Sequence, residues 1–274
     1  MSNIDKTSPE TLEQGFMDSF HKLGIGSDDN LYINGNLAAL GKVRLKKDVK
    51  QKILLTAFQK KIGSTGTIFS PSASMNLCNT QIPFDIKNTP SHEMGSFAEY
   101  IRLAPESVRS FHPFWSISAL GLNSERLCHV SRNAYGAGTP WEVMLDLDVR
   151  QVTFGIHPSR AVTLIHHVET VTGAPYRYIK EFLHPVITKH KIEVQPFYQL
   201  VMYKNSQVQK RIRLNEHYFN VLSKKGLFHE VHDKSGLVFY TFKFRDFYNI
   251  AVEFFIDDMY NYLEYPPEVR PYRI

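Results

Sequence analysis

The clearest chemical spacing in the chain is a histidine followed three residues later by a glutamate, in the stretch "TLIHHVET". On a helix, His166 and Glu169 lie on one face, because residues three positions apart are neighbours there. A carboxylate beside an imidazole stabilises the protonated ring and can fix its tautomer, which suits a general base working near neutral pH. A solvated polar helix face has the same spacing, so the pattern alone leaves both interpretations open. His167 faces another side and has no such partner.

A second candidate histidine stands in "RSFHPFWSISALG", which runs from Arg109 to Gly121. Pro113 biases His112 towards an extended backbone, so a stiff loop rather than a helix would hold this ring. The neighbouring Arg109 and Ser110 carry hydrogen-bond donors that suit a phosphate or an amide-rich ligand. A buried histidine bonded to a backbone carbonyl is the alternative interpretation.

The elements that would position these residues predict an α/β fold. Helices are predicted over 8–23, 47–61, 94–103, 124–132, 140–147 and 160–171, and strands over 30–36, 66–72 and 149–156. Two strands separated by a helix imply a crossover connection, the basic unit of an α/β sheet. The polar stretch from Ala73 to Ser91 predicts a long irregular loop, and such loops are often functional in compact domains.

The last third of the chain changes character. Alternating apolar and polar residues predict antiparallel strands over 191–205, 208–214, 227–233 and 236–245, with helices over 215–225 and 245–263. No linker rich in Pro, Gly and Ser separates this part. Residues 1–274 are therefore predicted to form one domain, a layered α/β/α fold with a mixed central sheet and antiparallel additions in the C-terminal third.

Composition excludes several classes of protein. With 274 residues and 43% hydrophobic residues, the chain can bury a sizeable core. It has neither an apolar run of about 18 residues nor an N-terminal secretory pattern, so we expect a cytoplasmic protein. The two cysteines, Cys78 and Cys128, are far apart and suggest neither a disulfide framework nor a structural zinc site.

The net charge of +5 is modest and favours polyanionic ligands such as nucleotide-type cofactors. No zinc finger, ribonucleoprotein motif or basic zipper supports binding to nucleic acid. The phosphate-binding loop of NTPases, the dinucleotide fingerprint and the common zinc-protease and serine-hydrolase motifs are also missing. Histidine placement is what remains.

The order of several motifs resembles the aminoglycoside 3-N-acetyltransferase family, whose members use acetyl-coenzyme A and are unrelated to the GNAT acetyltransferases. In chain order these motifs are "GTIFSPS", "FDIKNTPSHEMGSFAEYIRLAPESVRSFHPFWSISALG", "HVSRNAYGAGTPWEVML" and "TLIHHVE". The block from Phe84 to Gly121 is the most specific part. The resemblance covers most of the chain and weakens after about Tyr176.

The resemblance implies transfer of an acetyl group from acetyl-coenzyme A to an amine of an amino sugar, without a metal. It makes His166 the general base, oriented by Glu169, and adds His112 as a further catalytic candidate. Arg109 and Ser110 become candidates for contacts with the coenzyme. The candidates for substrate binding are Ser72, Asp85 and Glu93.

The chain departs from the family pattern after its first strand. The family usually has His-Ser-Ser-Leu-Arg where this chain reads Asn34-Gly35-Asn36-Leu37-Ala38. We assign Asn34, Gly35 and Asn36 to the coenzyme site, because amide side chains donate hydrogen bonds and glycine permits close approach of the backbone. The loss of the family's residues leaves open a non-catalytic binding protein on the same fold.

The basic composition bears on the acceptor. Aminoglycoside antibiotics are polycations, and a basic chain is a poor match for them. We therefore favour an amino sugar with compensating negative charge, such as a nucleotide-linked sugar for surface polysaccharide. An aminoglycoside antibiotic, acetylated in resistance, is the alternative. The expected partners are a small-molecule amine and coenzyme A, without nucleic acid or membrane, and a homodimer is left open.

Overall fold

The computed structural model describes residues 8–204 and 215–269. Nine strands occur in these residues: β1 (Asn30–Gly35), β2 (Thr67–Pro71), β3 (Val108–Arg109), β4 (Ile117–Gly121), β5 (Arg150–Phe154), β6 (Arg177–Thr188), β7 (Lys191–Met202), β8 (His229–His232) and β9 (Val238–Lys243). Seven of them form one sheet in the order β3-β4-β2-β1-β5-β9-β8, and β6 and β7 form a separate hairpin. The predicted strand over 208–214 lies outside the described residues.

The large sheet is mixed. Strand β1 pairs in parallel with β2 on one side and with β5 on the other. The remaining pairs of the sheet are antiparallel, including those that add β8 and β9 from the last third of the chain. The predictions of an α/β fold, a mixed central sheet and C-terminal antiparallel additions are confirmed.

The helices are α1 (Pro9–Lys22), α2 (Lys47–Ile62), α3 (Ser96–Arg102), α4 (Pro140–Asp146), α5 (Leu164–Thr172), α6 (Glu216–Lys224) and α7 (Phe244–Asp257). Local signals set their ends: the Ser8 side chain accepts a hydrogen bond from the amide of Thr11 at the start of α1. Helix α5 ends at Gly173, which adopts the left-handed conformation that glycine tolerates best. Among residues 8–204 and 215–269, no helix is long and apolar enough to cross a membrane.

Two predicted helices differ from the structure. The stretch 124–132 forms a short 3-10 helix, Ser124–His129, rather than an α-helix. The closing helix ends at Asp257 and not at residue 263, because Asp258 takes an extended backbone conformation. The chain after Asp258 therefore folds back as a turn, which brings Tyr262 beside α5.

Helices cover both faces of the sheet and enclose two cores. The alternation of β1 sends Leu31 into one core and Tyr32 into the other, as expected for a strand buried on both sides. The core beneath α1 and α2 includes Phe20, which stacks on Phe58 with ring centroids 4.2 Å apart. Burial of a side chain of this size contributes roughly 1.5–3 kcal/mol. The other core holds the apolar faces of α4, α5, α6 and α7.

The β6–β7 hairpin is a long arm, and the sequence pattern predicts only its second strand. Its two strands form twelve residue pairs. They are joined by Lys189 and His190, which both have positive φ angles, 44° and 66°. This is the turn geometry whose twist matches paired strands. Five apolar side chains of the arm are exposed: Ile179, Leu183, Ile187, Ile192 and Val194. A bridge between Phe84 and Val186 ties the arm to the long loop after β2.

Candidate active site

The predicted functional residues converge on one edge of the sheet. Because β1, β2 and β5 are parallel, their carboxyl ends meet there, and ligands of open α/β sheets bind at this edge. Asn36 follows β1, Ser72 follows β2, and the loop after β5 leads into α5. Strand β3 is antiparallel to β4, which is antiparallel to β2, so Arg109 also reaches this edge.

Helix α5 carries a histidine–carboxylate pair. The Nδ1 of His166 lies 2.7 Å from Oε2 of Glu169, the geometry that their three-residue spacing predicts. The Glu169 side chain is fully buried, whereas 27% of the His166 side chain is exposed. The carboxylate is thus shielded from water while the imidazole can be reached from solvent.

The carboxylate fixes the tautomer of this imidazole. Burial, which raises the pKa of a carboxyl, is outweighed by the hydrogen bond from His166 and by the charges of His166 and Arg177, so the pKa of Glu169 lies below its usual range. An ionised carboxylate only accepts hydrogen bonds, so the contact of 2.7 Å places the proton on Nδ1 of His166, and the approach of Arg177 Nη2 to the same atom at 3.4 Å is then not a hydrogen bond. The Nε2 atom then carries the lone pair. No residue of the segments 8–204 and 215–269 forms a hydrogen bond with Nε2.

Two residues just beyond α5 complete what we call the α5 cluster: His166, Glu169, Tyr176 and Arg177. The Tyr176 hydroxyl donates to Oε1 of Glu169 at 2.8 Å. The Arg177 Nε forms an ion pair with Oε2 at 2.7 Å, and the Arg177 side chain is 8% exposed. Arg177 balances the carboxylate's charge, so the α5 cluster has no net charge when His166 is neutral.

Aromatic rings flank His166 on two sides. Tyr135 and Tyr262 lie edge-to-face with the imidazole, at centroid distances of 5.6 and 6.1 Å. Tyr135 in turn stacks on the buried Trp141 at 5.7 Å. These contacts restrict the tilt of the imidazole plane, and the hydrogen bond to Glu169 prevents the ring from flipping. A general base requires positioning of this kind.

Four of the other predicted residues lie, together with Ser116, in what we call the arginine–serine cluster: Ser72, Arg109, Ser110, His112 and Ser116. It lies beside the α5 cluster, because Trp115, next to Ser116, contacts Tyr135 at 6.0 Å between ring centroids. The two clusters are therefore neighbours on one edge, connected through aromatic side chains.

Arg109 is the centre of the arginine–serine cluster. Its Nε donates to Ser116 Oγ at 2.9 Å and its Nη1 to the carbonyl of Thr89 at 2.6 Å. Its Nη2 donates to the carbonyl of Ser72 and, at 3.1 Å, to Ser74 Oγ. The side chain is buried and its donors are already engaged, so it holds the long loop after β2 against the sheet.

His112 is a buried ring with little resemblance to His166. It is 2% exposed, and its Nδ1 accepts a hydrogen bond from the Trp115 amide at 3.0 Å. Its Nε2 faces the backbone of Tyr198 and Arg132 without a well-aligned hydrogen bond. Burial lowers the pKa of His112 to about 4, against the opposing effect of that backbone, so the ring is neutral at pH 7.

The two serines assigned to the site are also buried. The Ser72 hydroxyl lies 3.4 Å from that of Ser116, and Ser110 Oγ accepts a hydrogen bond from the Ile117 amide at 2.9 Å. Both side chains are inaccessible to solvent. In this conformation they support the start of β4.

The three residues after β1 are mostly engaged by the protein itself. Asn34 donates to the carbonyl of Ala161 at 2.8 Å and accepts from Gln151 and Thr153 at 3.2 and 3.0 Å. A Cβ on Gly35 would lie 2.4 Å from the Phe154 carbonyl, so close packing against β5 accounts for the glycine. Asn36 caps a 3-10 turn by accepting from the Ala38 amide at 3.1 Å, and it is the exposed member of the three.

Asp85 and Glu93 lie in the long loop after β2. Asp85 accepts hydrogen bonds from the amides of Lys87 and Asn88 at 2.8 and 3.0 Å, an arrangement that stabilises a turn. Hydrogen bonds from Asn88 and Lys87 outweigh the effect of partial burial, and the pKa of Asp85 is lowered. Glu93 is exposed and accepts from the Asn76 amide at 3.3 Å. Both carboxylates shape the loop.

Four residues around His166 do not follow from the sequence pattern: Tyr135, Tyr176, Arg177 and Tyr262. Tyr176 and Arg177 return to Glu169 through the turn at Gly173, and Tyr262 returns through the turn after Asp258. The only sequence signal for these residues is the alternation of tyrosine and arginine in "PYRY", shortly after the helix. Nothing in a helix-period pattern indicates that a later strand folds back onto Glu169.

The histidine with a fixed tautomer lies at the edge of the mixed sheet, and the chain is similar to known acetyltransferases. The model of the aminoglycoside 3-N-acetyltransferase family matches residues 34–255. A curated relative, aminoglycoside N(3)-acetyltransferase VII of Streptomyces paromomycinus, is 25% identical over 190 residues, which is 60% of this chain and 62% of the relative. The chain thus matches about three fifths of that relative's length.

Solved structures share the fold. Aminoglycoside acetyltransferase AAC(3)-Xa superposes with a TM-score of 0.77 at 18% identity, over 90% of this chain and 93% of that one. A binary complex of AAC-IIIb with CoASH gives 0.75 at 17% identity, over 93% and 98%. Since the family model spans most of the described chain, the protein belongs to the aminoglycoside 3-N-acetyltransferase family.

Proposed function

We propose that the protein is an acetyl-coenzyme A-dependent N-acetyltransferase that acts on an amine of an aminoglycoside-type amino sugar. The observation that carries the proposal is the state of His166. Its Nδ1–H is committed to a buried, ionised Glu169, and its Nε2 lone pair is left for a substrate proton. Relatives named as aminoglycoside acetyltransferases support the same reaction.

The proposed chemistry needs one base and no metal. The amine nitrogen of the acceptor attacks the carbonyl carbon of the thioester, and His166 Nε2 takes the proton that the nitrogen loses. The carbon–sulfur bond then breaks, and the departing sulfur of the coenzyme recovers a proton. The products are the N-acetylated sugar and the free thiol. Glu169 stays ionised throughout and stabilises the imidazolium while it exists.

Donors for the transient oxyanion should come from the backbone at the sheet edge, because the side-chain donors of the arginine–serine cluster are engaged. The expected coenzyme contacts change for the same reason. Asn34, Arg109 and Ser110 position the loops, whereas the exposed Asn36 is the member of the predicted set that a ligand reaches most easily. The complex of AAC-IIIb with CoASH supports coenzyme A as the acetyl donor.

Local charge supports an aminoglycoside over a nucleotide-linked sugar as the acceptor. Residues 246–269 contain six acidic residues and no Lys or Arg, although the whole chain has a net charge of +5. The acidic residues are Asp246, Glu253, Asp257, Asp258, Glu264 and Glu268. This segment includes Tyr262, which contacts His166. A polyamine is attracted to such a segment, and a nucleotide is repelled.

The test is acetyl transfer to matched acceptors. We expect the purified protein to release free thiol from acetyl-coenzyme A with kanamycin as acceptor, and the product to gain the mass of one acetyl group. A nucleotide-linked amino sugar is the comparison. Thiol release with the nucleotide-linked amine alone contradicts the acceptor assignment. Failure to bind acetyl-coenzyme A contradicts the enzyme itself and favours a non-catalytic binding protein.

A further inference from the structure

The α5 cluster places a buried carboxylate beside the histidine that is to act as the base. The Glu169 side chain is fully buried, and its Oε2 lies 2.7 Å from Nδ1 of His166. A buried charge is tolerated only beside an opposite charge. If His166 were the sole partner of Glu169, the carboxylate would hold the imidazole in its protonated form. Both nitrogens of an imidazolium carry protons, so such a ring cannot act as a base.

Arg177 supplies a charge that does not depend on His166. Its Nε lies 2.7 Å from Oε2 of Glu169. Burial, which lowers the pKa of a guanidinium, is outweighed by the charge of Glu169, so the pKa of Arg177 is raised. The guanidinium is therefore always charged. The carboxylate is neutralised without a second proton on His166.

The same guanidinium also faces the imidazole directly. Its Nη2 lies 3.4 Å from Nδ1 of His166. Because Nδ1 carries the proton that it donates to Glu169, this approach brings two donors together and is not a hydrogen bond. It places a permanent cation next to a ring that would become positive on protonation. Like charges at this distance disfavour the charged form. Glu169 and Arg177 therefore act on the protonation of His166 with opposite signs.

Two tyrosines also face His166, and neither carries a charge. Tyr135, from the loop before α4, and Tyr262, which follows α7, contact the ring edge-to-face. Burial raises the pKa of both hydroxyls, so both are neutral at pH 7. Tyr176 joins the cluster through Glu169, to which its hydroxyl donates a hydrogen bond at 2.8 Å. The cation that opposes the carboxylate at the imidazole is thus the guanidinium.

The fold fixes the guanidinium in this place. Helix α5 ends at Gly173 in the left-handed conformation, and the amide of Arg177 then donates to the carbonyl of Ala174 at 3.1 Å. This tight turn brings the first residue of β6 back onto the helix. The Arg177 side chain is only 8% exposed, so a ligand has little access to it. Any effect of this arginine on the reaction must pass through its neighbours.

We propose that Arg177 is a positioning residue that keeps His166 unprotonated before the reaction and favours its return to that state afterwards. The inference rests on the proposed role of His166 as the base. Before attack, the charge of Glu169 is already balanced, and Nε2 keeps its lone pair. When Nε2 takes the proton from the amine nitrogen, the cluster gains a positive charge next to the guanidinium. Repulsion between the two cations then favours transfer of that proton to the departing sulfur.

A purely structural role for Arg177 is the alternative. In that case the arginine serves only to bury Glu169 at the start of β6, and its loss lowers activity by the same factor at every pH. The proposal requires a shift along the pH axis instead. Activity that needs an unprotonated ring is present above a midpoint pH and lost below it. Without the guanidinium the carboxylate favours the protonated ring, so the midpoint moves upward.

The test follows two quantities between about pH 5 and 9, the range in which histidines titrate. One is kcat/KM for thiol release, and the other is the rate of carbethoxylation of His166 by diethyl pyrocarbonate in the absence of substrates. This reagent attacks only an unprotonated imidazole nitrogen, and 27% of the His166 side chain is exposed to it. In Arg177→Gln, both midpoints should rise by about one to three pH units, the usual effect of one nearby charge. Activity should recover at the alkaline end.

Two further variants separate charge from structure. Arg177→Lys keeps the positive charge and should keep both midpoints close to those of the wild-type protein. Arg150→Gln is the matched control, because Arg150 also begins a strand and forms an ion pair, with Asp29 at 3.6 Å. It lies at the amino end of β5, away from the site. Both midpoints should be unchanged in this variant.

Unchanged midpoints in Arg177→Gln, with activity lowered equally at every pH, would overturn the inference. Arg177→Met, which removes the charge but keeps most of the volume, replaces this variant if its near-UV circular dichroism shows loss of the fold. Loss of the fold in both, while Arg177→Lys folds, assigns the arginine a structural role and also overturns the inference.

The carbethoxylation arm separates this inference from the proposed function. It needs neither coenzyme nor acceptor, so it reports on His166 even if the wild-type protein releases no thiol. A raised carbethoxylation midpoint in Arg177→Gln then supports the effect of Arg177 on His166, although the proposed function has failed. Thiol release by the wild-type protein together with unchanged midpoints in Arg177→Gln supports the function and contradicts the inference.

Discussion

Two clusters on the same sheet edge each contain a histidine and an arginine, and they differ in whether solvent can reach the histidine. In the arginine–serine cluster, His112 is 2% exposed and the donors of Arg109 are engaged. In the α5 cluster, the carboxylate and the arginine are buried, but His166 keeps an accessible ring with one nitrogen uncommitted. The two histidines therefore differ in access to solvent: the free Nε2 of His112 is buried, whereas the ring of His166 can be reached.

The largest expected effect is on the α5 cluster. His166→Ala should lower turnover roughly 100- to 10,000-fold, the usual contribution of a general base. His112→Asn should cost far less, because an amide oxygen can still accept the Trp115 hydrogen bond. Steady-state thiol release with saturating acetyl-coenzyme A measures both. If the two variants lose activity equally, the contrast between the clusters is wrong.

The second prediction concerns the buried charge pair. Glu169→Gln removes the counter-charge of Arg177 and should lower the free energy of unfolding by about 3–5 kcal/mol, as when one partner of a buried pair is lost. Urea unfolding at pH 7 measures the change. Adding Arg177→Met to this variant should recover part of the stability. Recovery of stability without recovery of turnover would show that Glu169 also positions His166.

The third prediction uses the depressed pKa of His112, about 4 in the folded chain and near 6.5 when unfolded. Between these values the unfolded state binds the proton and the folded state does not, so stability falls as the pH drops from 6.5 to 4. The contribution of this one group is about 3 kcal/mol over that window. His167, whose pKa burial also lowers to about 4, adds a similar slope.

The measurement is the free energy of unfolding against pH for wild-type protein and for His112→Asn. In the variant, the slope of the unfolding free energy against pH should be smaller over this window, by close to the value for uptake of one proton on unfolding. His166→Ala provides the matched comparison, and it should leave the His112 part of the slope in place. A slope unchanged in His112→Asn would mean that the ring is already protonated or hydrated in the fold.

The smallest expected effect is at the loop after β1. Asn36→Ala removes a cap from a short 3-10 turn and should cost about 1 kcal/mol of stability, the usual value for a lost capping side chain. Calorimetric titration with coenzyme A tests whether the exposed amide also contacts ligand. A Kd that rises severalfold would support the sequence-based assignment of Asn36, and an unchanged Kd would limit its role to the turn.

The sequence predicted the parts of the fold whose pattern is local. The apolar face of α1 and the apolar runs of β1, β2 and β5 are sufficient, because α1 buries that face and the middle of each of these strands is buried. Strand β6 was missed, since it includes Pro185 and exposes Ile179 and Leu183, which obscures any alternation. The 3-10 segment Ser124–His129 was read as an α-helix, because the two share almost the same short-range spacing.

The candidate site was predictable to the same extent. His166 and Glu169 lie one helical turn apart, and their contact follows from that spacing. The partners of Glu169 and Asn34 do not follow, because Tyr176 and Gln151 reach them through turns and strand pairing. The burial of Arg109 likewise depends on the path of the whole loop after β2. Residue type can identify these polar side chains as candidates, but only the fold shows which of them already have hydrogen-bond partners within the protein.

The β6–β7 arm has a consequence for how the protein behaves in concentrated solution. A long exposed hairpin with apolar side chains on one face invites stacking onto other copies of itself. Its tip, however, ends in Lys189, His190 and Lys191, so approaching tips repel one another. At physiological ionic strength, salt screens this repulsion beyond about 8 Å, and this distance shortens as the salt concentration rises. Colloidal stability should therefore fall as salt rises, and dilute buffers are the better medium for storing the protein.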